Sequence, residues 1–222
     1  RTAAQARLAV IKDLPAAFLR QVFPHQDEDI PCDWRWAKLG EICRFIGGSQ
    51  PPKGNFRYEP LSGYVRLVQI QDFRCSDVAV FIPEQMALRR FDTSDIMIGR
   101  YGPPVFQILR GLSGAYNVAL MKTVPSEGLD KDFLYYLLQW PAIQQDVIAQ
   151  SKRSAGQSGV QKEYLEKYLV PLPPIDQQRR LAGQIKGKIA AVDKARLAAE
   201  AELETINNLP AALLRRAFAG EI

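Results

Sequence analysis

Histidine and cysteine are nearly missing from this chain. Of its 222 residues one is a histidine, His25, and three are cysteines, Cys32, Cys43 and Cys75. A single imidazole removes most routes to acid–base chemistry or to a metal centre. An odd number of cysteines with no Cys-x-x-Cys pair argues against both a disulfide framework and a zinc site, and suits a reducing compartment. Long apolar runs are absent too: no stretch approaches about 18 residues, so nothing in the sequence is expected to span a membrane. The N-terminus carries neither a hydrophobic signal core nor an initiator methionine, and reads as the start of a fragment or of a processed chain. These features together point to the cytoplasm.

What is present suits a folded, mildly basic protein. Apolar residues make up 47% of the chain, enough for a real core. Lysine and arginine exceed aspartate and glutamate by five, and the sequence pI is about 9.1, a bias expected of a nucleic-acid binder and shared by many other proteins.

The two ends of the chain repeat each other. Residues 1–23 (RTAAQARLAVIKDLPAAFLRQVF) and 196–218 (RLAAEAELETINNLPAALLRRAF) agree at 13 of 23 positions with a constant offset of 195 and no gap. Two copies are too few for a solenoid and read as one structural part used twice, with a domain between. From Gln177 to Ile206 there is no proline, and helix formers dominate. Ile185, Ile189, Val192, Arg196, Ala199, Leu203 and Ile206 recur at alternating steps of four and three, a helix-pairing seam with one polar interruption. Such a rod is roughly 45 Å long. An amphipathic helix lying on its own domain would show a similar stripe. The strict spacing, the length and the duplication favour a helix partner. Asn207, Asn208 and Pro210 predict a stop and a new short helix, and Asp13-Leu14-Pro15 predicts the same break in the first copy.

Composition changes at Pro24, and 24–33 reads as a linker. Residues 34–46 predict a strand or short helix ending at Gly47-Gly48, and 49–63 is loop-like. Strands are expected at 64–70, 95–99, 105–110 and 115–124, one or two helices around Pro141 within 131–151, a polar loop at 152–159 and a short helix at 161–169. The predicted class is therefore α+β: one mixed α/β domain plus long coiled-coil-forming helices.

Catalytic motifs fail one by one. Gly183–Lys188 only faintly resembles a phosphate loop; the glycine spacing is one short and no Ser or Thr follows. No Gly-x-Gly-x-x-Gly follows a strand. No Asn-Pro-Pro-aromatic or Asp-Pro-Pro-aromatic tetrapeptide occurs; Tyr101-Gly102-Pro103-Pro104 shares only the prolines. Lys162, Glu163, Glu166 and Lys167 read as a solvated helix face, and His25 as an exposed linker residue. Basic and amide side chains gather instead in the loops. Lys53, Arg57 and Tyr58 fall in the first long loop; Arg66, Gln69, Gln71 and Arg74 lie on or after a strand. Arg89, Arg90, Arg100 and Tyr101 mark turns; Lys152, Arg153, Ser154, Gln157 and Ser158 occupy the last loop. Arginine and lysine suit phosphates and guanine edges, and glutamine suits adenine edges, so this set is the candidate DNA-binding surface. No catalytic, metal or cofactor site is expected.

Several segments resemble the specificity subunit of type I restriction–modification systems. They are Trp36-x-x-Leu39-Gly40-Glu41-Ile42 with Gly47-Gly48, Ile98-x-Arg100-Tyr101-Gly102, Ala115–Ala119 and Gly156-Gln157-x-Gly159-Val160-x-Lys162. The most specific are Pro171-Leu172-Pro173-Pro174-Ile175-x-x-Gln178 and the terminal run from Leu209 to Ile222. The resemblance implies that 1–23 ends a conserved helical region, 24–174 is a target recognition domain, and 175–222 is a conserved coiled-coil helix with a short terminal helix. In that family two recognition domains are joined by helical regions that pair as an antiparallel coiled coil, so this chain looks like one half, or like a half-subunit that pairs with itself. The implied partners are double-stranded DNA, the methyltransferase subunits and, through them, the restriction subunit. The chain itself would bind neither S-adenosylmethionine nor ATP. Two alternatives stay open: the recognition portion of a fused restriction–methylation protein, and a coiled-coil interaction module that does not bind DNA.

Overall fold

A computed structural model of the chain describes residues 1–74, 78–153 and 159–220. Cys75, Ser154, Gln157 and Ser158 lie outside the described residues, as does the side chain of Arg153.

An alanine-rich helix, α1 (Thr2–Val22), opens the chain. It ends where Phe23 turns extended ahead of Pro24, since a residue before proline is driven out of the helical region. The fold then enters β1 (Arg35–Lys38), α2 (Leu39–Ile42) and β2 (Cys43–Gly47), continues through β3 (Tyr64–Val68), β4 (Phe81–Pro83), β5 (Arg90–Phe91) and β6 (Ile96–Gly99), and reaches β7 (Gln107–Leu109), β8 (Gly114–Tyr116) and β9 (Leu120–Pro125). Helices α3 (Lys131–Leu137), α4 (Pro141–Arg153) and α5 (Lys162–Lys167) follow, then β10 (Leu169–Leu172) and the long helix α6 (Ile175–Phe218). Asp130 caps α3 by accepting from the Phe133 N–H at 2.9 Å, and Pro141 opens α4, where its missing N–H is not needed.

Two four-stranded sheets form the body. One has the order β2-β9-β6-β7 with every pair antiparallel; the other has the order β4-β3-β8-β5, with β3 and β8 parallel. The expected strand at 115–124 is in fact two strands, one in each sheet. The break is local: the Asn117 side-chain oxygen accepts from the Ala119 N–H at 3.1 Å, and its carbonyl accepts from Leu120 at 3.0 Å, which turns the chain from one sheet to the other. A third pairing joins the first and last strands of the domain, with Trp36 opposite Pro171 in an antiparallel β1–β10 ribbon. Proline is tolerated there because a two-stranded ribbon leaves one backbone edge unpaired. This ribbon brings the entry and exit of the domain together.

The principal core lies under α3 and α4, around Phe133, Leu134, Leu137, Trp140 and Ile143. Leu19 and Phe23, from the end of α1, belong to it. Phe23 is 1% exposed, with its ring 5.6 Å from that of Phe133 and 6.0 Å from that of Trp140. Beyond the domain, α1 and α6 run antiparallel. Arg7 meets Glu202 at 3.3 Å, Lys12 meets Glu200 at 3.7 Å, and the Lys188 ammonium lies 5.1 Å from the Phe18 ring centre.

The seam is divided between two partners. Ile185 and Ile189 pack on the domain core, so there the stripe is that of a helix lying on its own domain. Val192, Ala199 and Leu203 pack on Leu8, Ile11, Leu14 and Phe18 of α1, so the helix partner is the other copy of the repeat. Arg196 stays at the half-buried margin, held by Glu200 at 2.9 Å, and Ile206 is half-buried. The predicted helix breaks do not occur. Pro15 lies inside α1 and Pro210 inside α6. Each removes one N–H from the ladder and crowds the carbonyl four residues back, which weakens a helix at that turn without ending it. The expected short terminal helix is therefore the last part of α6.

Candidate nucleic-acid interface

Four turns from the two sheets meet at one place. The segment after β2 reaches the turn after β8, where the Ser49 N–H donates to the Tyr116 carbonyl at 3.2 Å. Gly48 is needed at this crossing: a Cβ there would stand 2.0 Å from the Asn117 carbonyl oxygen. The Asn117 N–H donates to the Val68 carbonyl at 3.3 Å, which places Asn117 beside the start of the turn after β3. The Arg100 N–H donates to the Ala119 carbonyl at 2.9 Å, adding the turn after β6. The Arg100 carbonyl in turn accepts from the Val160 N–H at 3.0 Å, so the far end of the 152–159 loop also arrives here. Tyr101 stacks over Gly159, and the Arg100 guanidinium lies 5.3 Å from the Tyr101 ring centre. Next to this turn Phe106 holds φ +62°, a conformation costing an ordinary residue about 1–3 kcal/mol, kept there by a fully buried ring.

The structure thus brings together Gln69, Gln71, Arg74, Arg100 and Tyr101 from the sequence-predicted set. It adds Ser49 and Asn117, whose only signals were the Gly47-Gly48 pair and the Ala115–Ala119 motif. Lys152 is exposed at the end of α4. Lys53, Tyr58 and Arg89 are exposed on other turns. Three predicted arginines face their own fold. Arg57 donates to the Phe56 carbonyl at 2.8 Å, and Arg90 pairs with Glu84 at 2.9 Å. Arg66, about a quarter exposed, lies 3.7 Å from the buried Asp72 carboxylate. Asp72 also accepts from the Gln69 N–H at 2.7 Å, so Arg66 and Asp72 together shape the turn that carries Gln69, Gln71 and Arg74.

Behind the turns the sheet is braced by a charged triad. Asp95 contacts Lys122 at 2.5 Å and Lys131 at 2.8 Å. Burial pushes its carboxyl upward, but hydrogen bonds from both lysines and from the Asp92–Asp95 turn outweigh that and hold the pKa at about 2. At the base, Gln178 is fully buried. It accepts from the Asp130 N–H at 2.8 Å and donates to the Pro173 carbonyl at 2.8 Å, locking the start of α6 to the cap of α3. The glutamine of the Pro-Leu-Pro-Pro-Ile-x-x-Gln junction thus has a physical reason. Among the described residues no three His, Cys, Asp or Glu side chains cluster in a way that could hold a metal, and no helix is long and apolar enough to cross a membrane.

A loop-bearing α/β head fastened to an antiparallel helix pair is the class of protein that this fold defines. Residues 31–198 match the family model for the type I restriction modification DNA specificity domain, and the chain belongs to that family. The type I restriction enzyme MjaVIII specificity subunit of Methanocaldococcus jannaschii is 22% identical over 193 residues, which cover 85% of this chain and 43% of that protein. The crystal structure of the HsdS subunit from Thermoanaerobacter tengcongensis superposes with a TM-score of 0.67 at 25% identity, over 100% of this chain and 54% of that one. A structure from work on complex assembly and conformational transition of a type I R-M system superposes with a TM-score of 0.84 at 22% identity, over 100% of this chain and 55% of that one. The chain therefore spans about half the length of the relatives it matches.

Proposed function

We propose that this chain is a DNA-reading half of a type I specificity subunit, with 24–174 as the target recognition domain and the helix pair as its spacer. The observation that carries the reading is the meeting of four turns bearing Ser49, Gln69, Gln71, Arg74, Arg100, Tyr101 and Asn117: amide, hydroxyl and guanidinium groups suited to base edges and phosphates. Lys152, Arg153, Ser154, Gln157 and Ser158, on the loop that ends beside Tyr101, would extend this surface. Lys53, Tyr58 and Arg89 would add phosphate or sugar contacts; Arg57, Arg66 and Arg90 serve the fold first.

The repeat supports a second recognition domain on the other end of α6. Leu19 and Phe23 are 3% and 1% exposed in this domain's core, while their equivalents Leu214 and Phe218 are 59% and 90% exposed. The partners would be double-stranded DNA, the methyltransferase subunits and, through them, the restriction subunit, with the chemistry on those subunits and the assembly in the cytoplasm. Self-pairing through the free end of α6 is the corresponding arrangement for a half-subunit.

The test is a pull-down with the methyltransferase subunit of the same source, followed by sequence selection on the bound duplexes. Enrichment of one short motif, or of a two-part motif if two domains assemble, is the expected result, with affinity falling steeply as salt rises. Capture without enrichment at low salt would favour a protein-docking module instead.

A further inference from the structure

Arg74 and Gln107 form a clamp between the two sheets. Arg74 ends the short turn after β3, and Gln107 opens β7, where it pairs with Gly99. The Arg74 Nη2 donates to the Pro103 carbonyl at 3.1 Å and to the Gln107 Oε1 at 2.6 Å. The Gln107 Nε2 donates in turn to the Pro104 carbonyl at 2.9 Å. The amide works in both directions: its oxygen holds the guanidinium and its nitrogen holds the turn that carries Arg100 and Tyr101.

Both hydrogens of Nη2 are committed to this clamp. A guanidinium reads a guanine edge through two adjacent nitrogens, and each of its two-nitrogen edges includes Nη2. The clamp therefore removes both forks. Among the described residues Nη1 and Nε have no partner, and on this exposed side chain each suits one anionic oxygen.

We propose that Gln107 is a positioning residue that aims Arg74 at a DNA phosphate, so that Arg74 sets the register of the duplex and reads no base. The inference rests on the DNA-recognition reading above. It also separates Arg74 from Gln71 on the same turn, whose amide carries no such clamp among the described residues.

The test uses the full chain assembled with its methyltransferase subunit, on the selected target and on single-base variants of it. Arg74→Ala is expected to weaken binding about fivefold on every duplex alike and to lower the slope of log K against log[salt] by about one. Gln107→Leu, which loses both side-chain hydrogen bonds, gives a uniform loss of the same kind; Gln107 is half-buried, so the melting temperature is read alongside to show that the variant is folded. The double variant loses no more than Arg74→Ala alone, because the two act through one contact. Arg74→Lys restores the salt slope.

A change in the ranking of the variant duplexes by Arg74→Ala would make it a base reader and overturn the proposal. So would losses that multiply in the double variant. If the wild-type assembly selects no sequence and binds no duplex at low salt, the DNA reading falls and the clamp's role with it. Sequence selection by wild type, with Gln107→Leu indistinguishable from it, sinks the clamp alone.

Discussion

The repeat supplies a matched pair of mutations, Phe23→Ala and Phe218→Ala, at equivalent positions of the two copies. Phe23 is 1% exposed and touches the rings of Phe133 and Trp140. Its truncation removes an aromatic side chain from a close-packed core and leaves a cavity, a change costing about 3–5 kcal/mol. For a chain of this size each kcal/mol moves the melting temperature by roughly 2–4 °C, so the fall is roughly 6–20 °C. Phe218 is 90% exposed, and its truncation is expected to stay within about 0.5 kcal/mol. Thermal unfolding by calorimetry, with a urea titration to confirm an unchanged m-value, reads both. Equal, small effects would mean that the end of α1 is not part of the domain core, and the antiparallel helix pair would lose its anchor. Equal, large effects would mean that the end of α6 is packed in the chain on its own, removing the argument for a second domain at that site.

Acid unfolding should report the brace behind the four meeting turns. The folded Asp95 pKa of about 2 lies below the ordinary carboxylate value of about 3.9. Its contribution is therefore present above about pH 4 and is lost as pH falls from there through about 2. Asp95→Asn should lower stability at neutral pH and flatten that part of the curve; an unchanged acid profile would contradict the triad. Burial and the Glu166 charge push the Cys43 thiol up to about 12, so iodoacetamide at pH 8 should label exposed Cys32 and leave Cys43 unmodified in native protein, read by peptide mass spectrometry. Gly48→Ala forces a methyl group against the Asn117 backbone; a stability loss of about 1–3 kcal/mol and a weakened sequence preference are expected. A fully active, equally stable variant would show that the crossing of these turns is not constrained.

Much of this protein follows from local pattern and is visible in its sequence. The 195-residue repeat, the four-three seam, the strands at Tyr64–Val68 and Ile96–Gly99, and the helices either side of Pro141 all come from short-range periodicity and capping. So did the resemblance to the specificity family, carried by the proline junction and the terminal segment. The remaining features depend on surroundings. Pro15 and Pro210 read as helix stops but lie within helices; at Pro15 the packing of Leu8, Ile11 and Leu19 outweighs one missing bond, whereas α6 continues past Pro210 with its last turns exposed. The run 115–124 looked like one strand, but Asn117 hands it from one sheet to the other. Arg89 stays exposed, whereas Arg57 donates to carbonyls of its own turn, Arg90 pairs with Glu84, and Arg66 lies beside the buried Asp72 carboxylate. The seam showed a buried stripe without saying that Ile185 would meet the domain and Val192 the other copy of the repeat. The parts and their family are legible in local sequence, since backbone preferences and apolar spacing act within a few residues. Which side chains stay open to a ligand depends on the assembled fold, as Arg74 and Gln107 show: a polar group is occupied or free according to which distant residues are set beside it.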